Sequence, residues 1–301
     1  MAGPGLSERL KDLLDETRLV MLGTQVLLGL QYRVAFAQTF SFLRPFYRIM
    51  DGFALLLILV ASGLLLATPA LHRIAVNGRA STFMLGRGSA HLRWALLPIS
   101  VALGLDIAIG FAPVTASTWA MLAGAVFISA SLGAWYGIPL FAKQSAEVQM
   151  PDEEEQPLEA RLVQALTELR VILPGAQALF GFQFAAILTQ AFENLPDVSK
   201  WVHLASLSAV AASVIMLMAP AAYHRLAAHG NPEERVLRYT GRMMLCSLGT
   251  LSLGMVGDAY VTVRLITEAQ WLALAVALIA LVGFWTMLYA IPLAERCRRA
   301  A

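Results

Sequence analysis

The sequence predicts an all-α protein of the membrane: a polytopic helical bundle of eight transmembrane helices, laid out as two parallel four-helix repeats. Three observations carry this. Hydrophobic residues make up 58% of the 301 residues and charged residues 14%, against about 25% charged in a soluble domain, so most of the surface does not face water. Eight windows of bilayer-spanning length and apolar character punctuate the chain. The second half of the chain repeats the first at a shift of 152 residues.

The N-terminus, MAGPGLSERLKDLLDETR, mixes acids with bases and has no apolar core or small-residue cleavage site. It does not read as a cleaved signal, so the first helix is expected to direct insertion. The predicted spans cover 19–40, 52–71, 92–112, 117–141, 169–192, 201–222, 242–263 and 269–292. The first and fifth are the least hydropathic, because of their glutamines and Arg33, and are expected to face protein or water rather than lipid. Ahead of them, Leu6, Leu10, Leu13 and Leu14, like Leu162, Leu166 and Leu169, form short amphipathic lead-ins. Glu16 and Arg18, with Glu168 and Arg170, then open the first helix of each half, in the role of interfacial anchors. Residues 1–141 make the first repeat and 159–301 the second. Between them, 142–158 is an acidic linker whose PDEEEQP run (151–157) reads as solvated.

Of the 22 Lys and Arg residues, only Arg33, Arg44, Arg48, Lys200 and Arg264 fall at one set of span ends; the other 17 fall at the opposite set. The loops are short enough for the positive-inside rule, which places both termini in the cytoplasm. Trp94, Trp119, Trp201 and Trp271 sit near span ends, where interfacial aromatics belong.

An ungapped alignment of Ser7–Phe40 with Glu159–Phe192 matches at twelve of 34 positions, among them Glu16, Gly23, Gln25, Gly29, Gln31 and Gln38. Chance at average residue usage gives roughly three. Pro69-Ala-Leu-His72-Arg73 answers Pro220-Ala-Ala-Tyr-His224-Arg225 with one extra residue, Asp106 answers Asp258, and Tyr136-Gly-Ile-Pro139-Leu140 answers Tyr289-Ala-Ile-Pro292-Leu293. Four spans per half give both halves one orientation, so a pseudo-twofold axis along the membrane normal is expected. The run EARLVQALTELRVILPGAQALFGFQ, with PAAYHR about 40 residues later, resembles an uncharacterised bacterial family of small four-helix membrane proteins. The resemblance covers most of 159–293 and, in diverged form, the first half, where Leu22 stands for Pro174. It implies a four-helix fold and a bacterial inner-membrane location, and it carries no activity or catalytic residues. Single-unit relatives must close their own symmetry, so the duplicated chain is expected to form a homodimer with four repeats around one axis.

Asp106 and Asp258 lie about six residues, roughly 9 Å, inside the non-cytoplasmic end of their spans. Burying an aspartate near a helix centre costs about 2.5–3.5 kcal/mol on insertion scales, which makes a duplicated one a candidate for ion or proton handling. The alternative is a structural partner for a basic or amide group. Gln31 and Gln38 share one face of the first helix, as do Gln183 and Gln190 of the fifth, while Gln25 and Gln177 sit deeper. These amides either line a polar path for cations or bond between close-packed helices beside Gly29 and Gly181. Arg33 is unmatched in the second half, and a pairing with Asp106 would offset the desolvation of both. His72–Arg73 and His224–Arg225 end the second helix of each half, where they either cap its C-terminus or hold an anionic headgroup.

No phosphate loop, HExxH, nucleophile elbow or Cys–His metal spacing is present, so no enzyme activity, metal or cofactor is expected. A net charge of +2 gives no nucleic-acid signal. Two readings remain. One is a channel or carrier for a small cation, with or without linkage to protons. The other is a structural, sensory or partner- or lipid-binding membrane protein whose polar residues specify packing.

Overall fold

In a computed structural model that describes residues 5–137, 153–154, 157–228 and 231–300, the chain is an all-α bundle. The first repeat comprises α1 (Leu6–Ala35), α2 (Pro45–Ala75), α3 (Thr82–Phe111) and α4 (Ser117–Leu132). The second comprises α5 (Leu158–Ile187), the single turn α6 (Gln190–Glu193), α7 (Asp197–Leu226), α8 (Glu234–Thr267), α9 (Gln270–Trp285) and α10 (Ile291–Ala300). Among the described residues, seven helices are long and apolar enough to cross a membrane, which makes the chain a multi-pass membrane protein. The exception is α1, whose polar residues keep it out of that set although it is as long as α5, at 30 residues.

The duplication is written into the helix boundaries. Residues 6 and 35 of α1 shift by 152 onto 158 and 187 of α5; the starts of α2 and α3 shift by 152 onto those of α7 and α8. The fourth helices start at 117 and 270, a shift of 153. Both end in a π turn, Gly133–Gly137 and Thr286–Ala290. From those turns Tyr136 donates to the Arg93 carbonyl, and Tyr289 donates to the Leu245 carbonyl at 2.7 Å. The acceptors are again 152 residues apart.

Local chemistry sets the ends. Pro45 starts α2 at the one helical turn that needs no N–H from it. Asn77 and Gly78, both at positive φ, turn the chain after α2, and Ser81 caps α3 by accepting the Met84 N–H at 3.2 Å. Ala80–Ser81 (β1) pairs antiparallel with Glu153–Glu154 (β2), so part of the expected solvated linker is tied to the first repeat. The first and fifth helices stop at Ala35 and Ile187, short of the expected 40 and 192. After α5 the Thr189 hydroxyl accepts the Phe192 N–H and starts a new turn, and after α1 residues Gln38–Phe42 form a 3-10 turn. Gln38 and Gln190 therefore share no helix with Gln31 and Gln183, and the expected period-seven glutamine faces do not exist.

The packing of the halves is not reciprocal. The apolar stretch of α2 is 61% buried but that of its counterpart α7 is 28%; for α3 and α8 the values are 39% and 67%. Helix α2 packs against α8 and α10, which places it at the centre of the chain, whereas α7 packs on α5 and α8 of its own repeat. Along the α1–α5 seam the Phe182 ring lies against Gly29, and Gln25 lies against Gly175. A twofold axis would bring Leu30 to Gly181 and Gln177 to Gly23, yet nothing stands within 4 Å of where a side chain would begin at either glycine. The halves are joined front to back, not by the expected twofold.

Gly175 is the tightest point of this seam, since a Cβ there would meet the Gln25 side chain from its tip back to its own Cβ. Gly175→Ala is expected to cost about 1–3 kcal/mol through overpacking, read as a lower melting temperature of the purified protein. Gly110→Ala, with open space at its Cβ, is expected to leave it unchanged.

Candidate functional site

Three polar clusters lie in the bundle with most of their side chains buried, and two of them are copies. In the first repeat, Gln31 of α1 donates through Nε2 to both carboxyl oxygens of Asp106 on α3, at 3.2 and 3.3 Å. Asp51 of α2, 3% exposed, stands within electrostatic reach of Asp106. In the second repeat the same positions, each 152 residues on, carry Gln183 of α5, His203 of α7 and Asp258 of α8. All three are buried. His203 Nδ1 lies 3.0 Å from Asp258 Oδ1, outside hydrogen-bonding direction, and its Nε2 meets the Gln183 carbonyl at 3.0 Å. The imidazole is boxed by Phe36 of the first repeat and Phe192, with ring centroids at 5.7 and 5.5 Å. Tyr32 adds a cross-repeat bond from its hydroxyl to the Met255 carbonyl at 2.7 Å.

These clusters are incompletely satisfied. Gln31 Oε1, Asp51 Oδ2, both amide atoms of Gln183 and both carboxyl oxygens of Asp258 are buried without a hydrogen-bonding protein partner. A buried polar group left so costs about 1–3 kcal/mol, and native proteins keep few of them. A carboxyl–imidazole contact can hold one proton between two bases, and a carboxyl bonded to an amide beside a second carboxyl can take a proton or a small cation.

The third cluster joins the repeats. Glu168 of α5, fully buried, receives His72 Nδ1 on Oε1 and Arg73 Nε on Oε2, both at 2.6 Å. His72–Arg73 thus grips the other repeat, beyond the expected roles of capping α2 or holding a headgroup. Its copy is unmade: Glu16 is exposed, and His224 and Arg225 face a groove between α5 and α7. Among the described residues these three have no hydrogen bond or ion pair in the chain.

The remaining sequence candidates scatter. Gln25 is buried with no partner for its amide, whereas Gln177 is exposed. Gln38 is exposed in its turn, and Gln190 donates to Glu193 at 2.8 Å on the surface. Asp106 takes Gln31 rather than Arg33, which is half-buried further along α1. Two residues escaped the sequence reading. Asp51 lies just outside the predicted second span, and His203, within the sixth, has an aspartate as its counterpart, so neither showed as a repeated residue. Extending the 152-residue alignment to ionisable pairs of unlike type would have shown both.

A protein family described only as a family of unknown function (DUF6328) matches residues 6–139 and again 152–292. The chain belongs to this family and carries its domain twice in tandem. No curated protein and no solved structure matches the chain.

Because the Glu168 carboxylate is buried beside a nearly buried guanidinium, removing its charge strands Arg73. Glu168→Gln is expected to destabilise the fold by about 3–5 kcal/mol, measured by thermal unfolding in detergent, while the exposed Glu193→Gln changes it little.

Proposed function

We propose that the chain is an eight-span transport protein that passes a small cation through its two polar clusters. The observation that carries this reading is the recurrence of an amide, a second ionisable group and an aspartate on the first three helices of each repeat, all buried except the half-buried Asp106, and with unpartnered polar atoms in both clusters. Intramembrane ionisable groups are costly and default to functional roles, such as proton relays and ion pathways. Chemistry differs between the copies: two aspartates in one and an aspartate–histidine couple in the other. Helix α1 supplies the eighth span. It has the boundaries of α5, its 30 residues reach about 45 Å, and it packs along α5, so its polar groups need not face lipid. Eight spans place both termini on the basic, cytoplasmic side, in the inner membrane of a bacterium.

A second reading, in which the polar groups only specify helix packing, draws on the Glu168 carboxylate, bonded at both oxygens, and on the Gln31–Asp106 bonds. Flux decides between them. In proteoliposomes scanned over H⁺, Na⁺, K⁺ and Cl⁻, the transport reading expects cation flux that falls about tenfold or more in Asp106→Asn with Asp258→Asn. That is the scale expected from weakening one charge-assisted contact of about 1.5–3 kcal/mol. It also expects a comparable loss in Gln31→Leu with Gln183→Leu. A well-folded wild-type protein that passes nothing, with variants altered only in melting temperature, supports packing alone.

Topology is tested separately. A fluorescent reporter that matures only in the cytoplasm is expected to glow when fused after Ala301, and a periplasm-dependent phosphatase fused there to stay inactive. The reverse pattern refutes the eight-span orientation.

A further inference from the structure

The front-to-back joint leaves each chain with one unused half-joint at either side. On the first repeat, the positions of α2 that receive the second repeat are buried: Gly63 lies against Phe284 and Met287, and His72 on Glu168. Their copies on α7, Ile215 and His224, border the groove that also holds Arg225; Ile215 is 69% exposed there and the neighbouring Met218 51%, although Leu217 between them is buried. The inserted element behaves the same way in reverse. Along α5, Glu168 and Val171 are buried, and Gly175 is pressed by Gln25; their copies on α1, Glu16, Leu19 and Gly23, are exposed.

In lipid, exposed apolar surface alone indicates nothing. What marks these two faces is an acid on one and a His–Arg pair on the other, the same residues that form a buried triad where the joint is made. Side-chain sizes also agree. In the made joint Gly63 sits against Phe284 and Met287, small against large. In the unmade one Ile215 stands at the glycine's position, and the copies of Phe284 and Met287, at a shift of 153, are Ser131 and Ala134: large against small.

We propose that the missing occupant is a second copy of this chain, with His224 and Arg225 of each copy clamping Glu16 of the other. Two copies then contribute four repeats and four Glu–His–Arg clamps to one closed ring. A front-to-back joint either closes or runs on into a filament, and two copies are the smallest closure. The same docking brings Gln177 to the partner's Gly23 and Gly181 to its Leu30, the contacts that are absent within one chain. This inference rests on the duplication and the packing, not on the transport reading.

The test uses the full chain in lipid nanodiscs, with Cys246 and Cys297 replaced by serine. Glu16→Cys with Arg225→Cys, treated with a short bis-maleimide, is expected to give a cross-linked dimer and nothing larger, and each single variant none. Without cross-linker, Glu16→Arg or Arg225→Glu alone is expected to weaken the dimer at least about tenfold in concentration-dependent mass photometry, and the two together to restore it. The restored pair also answers misfolding, since Glu16 and Arg225 make no hydrogen bond or ion pair among the described residues of one chain, and a second substitution would not rescue a fold that the first had broken. A monomeric wild type, including one whose groove takes anionic lipid, overturns the proposal. So does a cross-linked ladder beyond the dimer, or single and double variants that behave alike.

Discussion

A carboxylate taken out of water in an apolar bundle requires compensation, and Glu168 obtains it from two groups of the other repeat, His72 and Arg73. The acid lies on α5 and its partners end α2, so the triad can form only when the halves sit at one register and one rotation. Hydrophobic side chains impose no such demand, because sliding one apolar helix along another in lipid changes little. The non-directional contacts of Leu55, Ile58, Ile172 and Leu248 fill the core around a joint whose geometry the triad selects. Glycine at 29 and 175 then lets α1 and α5 approach closely enough for the joint to close.

Duplicated sequence under a front-to-back joint cannot stay equivalent, because copies of one residue meet different surroundings. Gln25 is buried against Gly175 while Gln177 is exposed. Helix α2 is central and α7 peripheral. The clusters have diverged accordingly: where the first repeat keeps Asp51, the second carries His203, enclosed by Phe36 from the first repeat and by Phe192. A residue contributed by one half thus shapes the chemistry of the other.

Much of the fold was legible in the sequence because apolar length and repeated polar residues are one-dimensional signals. The all-α class, the membrane helices and the tandem repeat all follow from them. The joint was not legible. Symmetry in sequence suggested symmetry in space, yet twelve matched positions are equally compatible with reciprocal and front-to-back packing. The glutamine faces failed for a local reason: periodicity at seven assumes an unbroken helix, and Thr189 begins a new turn instead. Asp106 and Asp258 were found as a repeated pair, whereas Asp51 and His203, equal in position but unlike in chemistry, were hidden by a search for identity.

The low hydropathy of α1 acquires a physical reason from the joint. A span that faces lipid on one side must keep that side apolar, as α9 does with Leu274, Leu278 and Ile279 exposed. Helix α1 instead meets α5 along one face, through Gln25 and Gly29, and presents Glu16, Leu19 and Gly23 on another. An exposed carboxylate at Glu16 next to a glycine-lined helix face is poorly suited to lipid, while its copy Glu168 shows what such a face accepts: a basic helix end and a closely approaching neighbour. If both faces of α1 are lined by protein, its glutamines incur no lipid penalty. The helix that fails the hydropathy criterion is then one with protein on two sides, with α5 on one face and, in the proposed dimer, the partner on the other.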